Sequence, residues 1–202
     1  MTQKITTIIF DCFGVICAPV LSGWYNMQST KSGFVDPNLR AVLTQFDLGV
    51  LSEDDIVEYF LKYEGVDSTK EKLRGEIDAY MKLNIDLMNS IKKLKQTGFK
   101  TALLSNGNHA FFERKIYPTH PEFKELFDDI VISSEVGMVK PNTDIYSLSL
   151  KRIQSTAGES LFIDDRQENV DSAITLGMGG FVYTDNSSFS NYLETIGIGL
   201  GD

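Results

Sequence analysis

The segment Ile5-Thr6-Thr7-Ile8-Ile9-Phe10 is a short apolar run that ends on an acid, Asp11, followed by Cys12-Phe13-Gly14-Val15. A run of this kind reads as a buried strand of a parallel sheet that carries a carboxylate to its C-terminal tip, with Gly14 permitting a tight turn just beyond. Three later polar clusters repeat the arrangement. Ser105-Asn106 follows Thr101 to Leu104, Lys140-Pro141 comes shortly after Ile130 to Ile132, and Asp164-Asp165 follows Leu161 to Ile163. In an open α/β sheet the carboxyl ends of the strands open into one crevice. A hydroxyl, an ammonium and three carboxylates gathered there suit Mg²⁺-assisted attack on a phosphoryl group.

Strand signals recur at Ile5 to Phe10, Thr101 to Leu104, Ile130 to Ser133, Leu161 to Ile163 and Gly180 to Tyr183. Helical stretches lie between the later ones. Leu87, Ile91 and Leu94 keep helical spacing up to Gly98, and Val170, Ala173, Ile174 and Leu176 do so up to Gly177. The alternation predicts an α/β fold, a Rossmann-like parallel sheet with helices on both faces. About residues 18 to 86 break the rhythm and show helix starts but no buried strand. Ser52-Glu53-Asp54-Asp55 is an N-cap with acids in the first turn, continued by Ile56, Tyr59, Phe60 and Tyr63. Asp67-Ser68-Thr69 precedes a second helix through Leu73, Ile77, Tyr80 and Met81. The expected division is a core of residues 1–17 and 87–202, interrupted between its first two strands by a small helical cap domain, 18–86.

A chain of 202 residues holds one substantial core and a small accessory domain. The net charge of −9 speaks against a nucleic-acid partner, which needs a basic footprint. It leaves room for an anionic substrate, because a metal and a lysine dominate the field of a single cleft. No stretch approaches the ~20 apolar residues of a membrane span, and the first residues do not read as a signal peptide. The cytoplasm is the expected compartment. Cys12 and Cys17, around a glycine turn, are expected to be free thiols.

The four clusters resemble the haloacid dehalogenase superfamily of hydrolases, in the subfamily with a helical cap inserted after the first strand. The resemblance is carried by Phe10-Asp11-Cys12-Phe13-Gly14-Val15, Leu103-Leu104-Ser105-Asn106, Val139-Lys140-Pro141 and Phe162-Ile163-Asp164-Asp165-Arg166-Gln167-Glu168-Asn169. Their order and spacing, with the cap-like Leu48-Gly49-Val50-Leu51-Ser52-Glu53, extend it over nearly the whole chain. It implies that Asp11 is the nucleophile that takes the phosphoryl group. Taken alone, an acid there reads as a cap or turn residue; within the constellation the nucleophile is favoured. The resemblance further implies a Mg²⁺ ion held by Asp11, the Phe13 carbonyl and Asp164 or Asp165. Lys140 would neutralise nucleophile and phosphoryl oxygens, and the Ser105 hydroxyl and Asn106 backbone N–H would donate to the phosphoryl group. Asn169 reads either as a brace for the acidic loop or as a plain helix residue. Tyr146 reads as packing, His109 and His120 as surface residues, and Trp24, Tyr25 and Arg40 as cap residues more often packed than in contact with substrate.

One position departs from the pattern. Phosphatases of this superfamily carry a second aspartate two residues after the nucleophile, as general acid and base, and here that residue is Phe13. Such help contributes typically ~10²–10⁴-fold, so its loss is expected to slow turnover. Dehalogenases of the superfamily carry an aromatic residue there, which makes 2-haloacid dehalogenation the rival reading, although they need no Mg²⁺ and generally lack the paired acids. A degenerate module that binds phosphate or a protein is the third. The leading expectation is a Mg²⁺-dependent phosphatase of small phosphorylated metabolites, monomeric or weakly dimeric.

Overall fold

The computed structural model describes residues 4–63 and 65–200. The chain begins with β1 (Thr7–Phe10) and continues through four helices, α1 (Val20–Ser32), α2 (Leu39–Asp47), α3 (Glu53–Phe60) and α4 (Lys70–Asp78). Then come α5 (Ile85–Gln96) and β2 (Lys100–Ser105). Short helical pieces follow: α6 (His109–Phe111), a π-helical turn (Phe112–Ile116), α7 (Tyr117–Thr119) and a 3₁₀ turn (Pro121–Leu126). The rest is β3 (Asp129–Ile132), α8 (Ser133–Val136), α9 (Thr143–Arg152), β4 (Ser160–Asp164), α10 (Gln167–Thr175), β5 (Gly179–Val182) and α11 (Asn186–Thr195).

The five strands form one parallel sheet, as the apolar runs predict, and its strand order is β3-β2-β1-β4-β5. Its central strand β1 is buried along its whole length, which is why that run does not alternate with polar residues. Ile8 and Phe10 belong to one apolar cluster, with Leu103, Leu161 and Ile163 from the neighbouring strands, Ile91 and Leu94 of α5, and Phe189 and Leu193 of α11. Ile9 belongs to the other, with Ala102, Leu104 and Phe162, Ile145 and Tyr146 of α9, and Ala173 of α10. The period of two along each strand thus sorts alternate residues to the two covered faces.

The helices between β1 and α5 are held by caps and aromatic packing. Ser52 accepts from the Asp55 backbone N–H while the Asp55 carboxylate accepts from Ser52 N, a reciprocal capping box. Thr69 caps α4 by accepting from Lys72 N. The α4 helix stops at Asp78, so Tyr80 and Met81, expected inside it, lie beyond its end. Trp24 of α1 is fully buried against Phe60 of α3, with ring centroids 4.8 Å apart. Tyr25 is buried as well, and its hydroxyl accepts from Asp36 N at 2.8 Å. The chain leaves and re-enters the sheet through paired segments: Ala18 N donates to the Lys82 carbonyl and Asn84 N to the Ile16 carbonyl, both at 2.8 Å. The third strand ends one residue earlier than its sequence suggests. Ser133 opens α8 and its hydroxyl bonds the Asp47 carbonyl at 2.5 Å, which ties the end of α2 to the sheet. Among the described residues no helix is long and apolar enough to cross a membrane.

Candidate active site

The strand register brings the polar tips together. Phe10 pairs with Leu103 of β2 and Ile163 of β4, so Asp11, the end of β2 and Asp164 lie side by side at one edge of the sheet. The Asp11 backbone N–H donates to the Ile163 carbonyl at 2.8 Å. Beyond it the chain turns sharply, and the Cys12 carbonyl accepts from Ile16 N at 2.9 Å and Cys17 N at 2.8 Å. Gly14 has φ of +101°, and a Cβ there would collide with the Asp165 carboxylate. Only glycine leaves space for that group.

Lys140 is buried between two acids, its Nζ 2.7 Å from Asp11 Oδ1 and 2.6 Å from Asp164 Oδ2. Its main chain is clasped by the Asn106 side chain, which accepts from Lys140 N at 2.8 Å and donates to Lys140 O at 2.9 Å. Asn169 Nδ2 donates to both oxygens of Asp164, at 2.9 and 3.0 Å, and Arg166 N donates to Oδ1 at 2.9 Å. Of the two readings for Asn169, the structure selects the brace. Tyr146 packs edge-on against Phe162 and its hydroxyl donates to the Asn169 carbonyl at 2.8 Å. Arg40 is exposed and pairs with Glu168 at 3.5 Å. His109 lies 3.2 Å from Glu135 and His120 3.3 Å from Glu122, and neither lines the cavity described below.

Carboxylate oxygens of Asp11, Asp164 and Asp165 lie within 4.8 Å of one another. Burial pushes the Asp11 carboxyl up to about 8, with Asp164 and Asp165 adding to the rise and Lys140 opposing it. Asp165 is raised by burial and by Asp164. Burial works against the Lys140 charge, but Asp11 and Asp164 outweigh it and hold its pKa above the ordinary value. One ammonium therefore faces three carboxylates. Two of these acids, Asp11 and Asp164, are buried and Asp165 is exposed, and such an excess of carboxyl groups over cations suits an all-oxygen divalent-cation site.

A cavity of ≈ 250 Å³ opens over this cluster. Asp11, Phe13, Asn106, Lys140 and Asp165 line it, whereas Ser105 and Asp164 do not. Ser105 is fully buried at the end of β2, its hydroxyl directed to the Asn106 carbonyl at 3.4 Å. Phe13 packs against Phe111 and Phe112, with centroids 5.9 and 5.6 Å away. The opposite wall comes from the four inserted helices and is mostly apolar, with Val20, Leu21, Leu43, Phe46, Ile56, Val57 and Ile77. Arg114, from the π-helical turn after β2, also lines the cavity and grips Glu53 of α3 and Asp78 of α4 through both guanidinium edges, the closest contacts being 2.8 and 2.6 Å. Cys12 and Cys17 are free, buried thiols, and burial raises both, Cys17 to about 12, so neither is a ready nucleophile.

Sequence alone does not single out Arg114, Asp47 or Asn108. Asn108 donates to the carbonyls of Phe46 at 3.3 Å and Leu51 at 3.2 Å, across 62 and 57 residues of chain. Nothing in the local pattern marks such contacts, since each depends on how the inserted helices dock.

The model of the haloacid dehalogenase-like hydrolases matches residues 5–177, and the chain belongs to that family. The chain is 28% identical over 192 residues to the sesquiterpene phosphatase astK of Aspergillus oryzae, covering 92% of this chain and 93% of that protein. It is 24% identical over 194 residues to an (S)-2-haloacid dehalogenase of Pseudomonas fluorescens, covering 87% and 82%. The fold matches a HAD family enzyme of Bacteroides thetaiotaomicron with a TM-score of 0.78 at 17% identity, over 95% of this chain and 99% of the other. The wild-type form of that enzyme has also been solved with magnesium and inorganic phosphate, matching with a TM-score of 0.70 over 92% and 99%.

Proposed function

We propose that the chain is a Mg²⁺-dependent phosphoric monoester hydrolase that works through an aspartyl-phosphate on Asp11, with the inserted helices acting as a cap over the site. The observation that carries this reading is the trio of carboxylates, Asp11, Asp164 and Asp165, facing a single ammonium. The donor set is all oxygen, which suits Mg²⁺ rather than zinc. Gly14 leaves open the space that Asp165 needs. Asp11, Asp165 and the Phe13 carbonyl would hold the ion, with Asp164 beside them. The bound ion supplies charge neutralisation for the nucleophile and the phosphoryl oxygens.

This chain's own groups do the rest. Asp11 attacks phosphorus in line with the leaving oxygen. Lys140 balances charge on Asp11 and on the transferring group. Asn169 and Arg166 N fix Asp164, and Asn106 fixes the lysine backbone. Ser105 needs a rotation of its hydroxyl away from the Asn106 carbonyl to donate to a phosphoryl oxygen. The apolar wall, and an Arg114 already taken up by Glu53 and Asp78 and so not free for a second anionic group, favour a single phosphate on an alcohol with a substantial apolar part. The similarity to a sesquiterpene phosphatase supports the same choice.

Dehalogenation is the second reading, supported by the aromatic residue at position 13 and the similarity to 2-haloacid dehalogenases. The two separate in one assay. Phosphate release from p-nitrophenyl phosphate that requires Mg²⁺ supports the phosphatase. Halide release from 2-chloropropionate in chelator, with no phosphate release, would overturn it.

A further inference from the structure

The phosphatase reading leaves a gap, because a leaving alkoxide needs a proton and Phe13 has none to give. Position 13 is committed to packing: its ring lies against Phe111 and Phe112, and a Cβ on Gly107 would come within 2.8 Å of it. Across the same cavity, on the inserted helices, stands another carboxyl group, Asp47, the last residue of α2.

The other acids of the cavity are engaged. Asp11 pairs with Lys140, Glu53 and Asp78 pair with Arg114, and Asp165 belongs to the metal cluster. Among the described residues no donor or cation bonds the Asp47 side chain. Its backbone is nonetheless anchored from the sheet side. Ser133 Oγ donates to the Asp47 carbonyl at 2.5 Å, and Asn108 holds the carbonyls on either side of it, of Phe46 and Leu51. The following loop is seated as closely, since a Cβ on Gly49 would lie 2.8 Å from the Ser134 carbonyl. A carboxyl group carried on a backbone held this firmly, and itself left without a hydrogen-bond or ion-pair partner, is placed for work rather than for stability.

We propose that Asp47 is the general acid and base of the reaction, supplying from the inserted helices the proton that position 13 lacks; this rests on the phosphatase reading. In the first step the Asp11–phosphorus bond forms and the bond to the leaving oxygen breaks. The proton of the Asp47 carboxyl group passes to that oxygen, which departs as the alcohol. In the second step a water oxygen attacks phosphorus, the bond to Asp11 breaks, and the water proton returns to Asp47. Inorganic phosphate leaves and both acids regain their starting forms. Burial pushes Asp47 up to about 7, with Lys140 and Arg166 opposing, so both forms are populated at neutral pH.

The test compares wild type, Asp47→Asn and Asp47→Glu on n-octyl phosphate, whose alkoxide needs a proton, and on p-nitrophenyl phosphate, whose phenolate does not. With Asp47→Asn, kcat/KM for octyl phosphate falls about 100-fold or more, within the range of acid–base help, and that for nitrophenyl phosphate falls by less than about tenfold. Asp47→Glu restores part of the octyl rate and covers the case of a poorly folded Asn variant. Equal losses on both substrates, or an unchanged octyl rate, overturn the role of Asp47. A wild-type protein that releases phosphate from neither substrate overturns the phosphatase reading and this inference with it.

Discussion

The side-chain amide of Asn169 straddles Asp164, with Nδ2 2.9 Å from one carboxylate oxygen and 3.0 Å from the other. Asp164 also takes the Lys140 ammonium at 2.6 Å, so its orientation is fixed from two sides. Groups that orient a metal-binding cluster commonly change affinity by about 10–100-fold when removed. Asn169→Ala is therefore expected to raise the Mg²⁺ concentration needed for half-maximal phosphate release by about that factor. The change should appear in Mg²⁺ calorimetry as well. Unchanged Mg²⁺ affinity would show that Asn169 only packs.

Lys140 is a buried cation between two acids, and its removal leaves both without a counter-ion. Breaking such an arrangement costs about 3–5 kcal/mol. Lys140→Met should lower the urea midpoint and abolish phosphate release. Lys140→Arg should not rescue turnover, since the larger guanidinium has no space between contacts of 2.6 and 2.7 Å. Near wild-type rates in the arginine variant would refute this.

Gly14 combines a left-handed backbone with an immediate clash for any Cβ. Gly14→Ala has to displace the Asp165 carboxylate or open the turn. The expected result is weaker Mg²⁺ binding together with a loss of about 1 kcal/mol or more of stability. A melting temperature and Mg²⁺ affinity equal to wild type would contradict so tight an approach.

Asp47 predicts a pH dependence of stability. Burial raises its folded pKa from 3.8 to about 7, with Lys140 and Arg166 pulling the other way. Between those values the folded protein keeps a proton that the unfolded chain releases, so this group's contribution falls as pH rises through the window. Asparagine does not titrate. Urea titrations should show wild type losing stability relative to Asp47→Asn from about pH 4 to pH 7, then a constant difference. Parallel curves would mean that the carboxyl group is not set apart from water.

The apolar runs and their polar tips are legible because a strand buried on both faces must be apolar throughout, and because its chain must turn at its end. Those two constraints place Asp11, Asp164 and Asp165 at one edge from sequence alone, and the caps at Ser52 and Thr69 mark helix starts through local chemistry. The first inserted helix is harder to read, since Ser22, Gly23, Asn26 and Ser29 are poor helix formers and the helix is held by burial of Trp24 against Phe60. Tertiary structure also decides between the two readings of Asn169, turns Ser133 from a strand residue into an anchor for α2, and brings Asp47 and Arg114 to the cavity. The physical reason is range. Strand burial and capping act between neighbours in sequence, whereas a carboxyl group at a helix end acquires its surroundings only when that helix docks onto distant chain, as Phe46 does onto Asn108, 62 positions away.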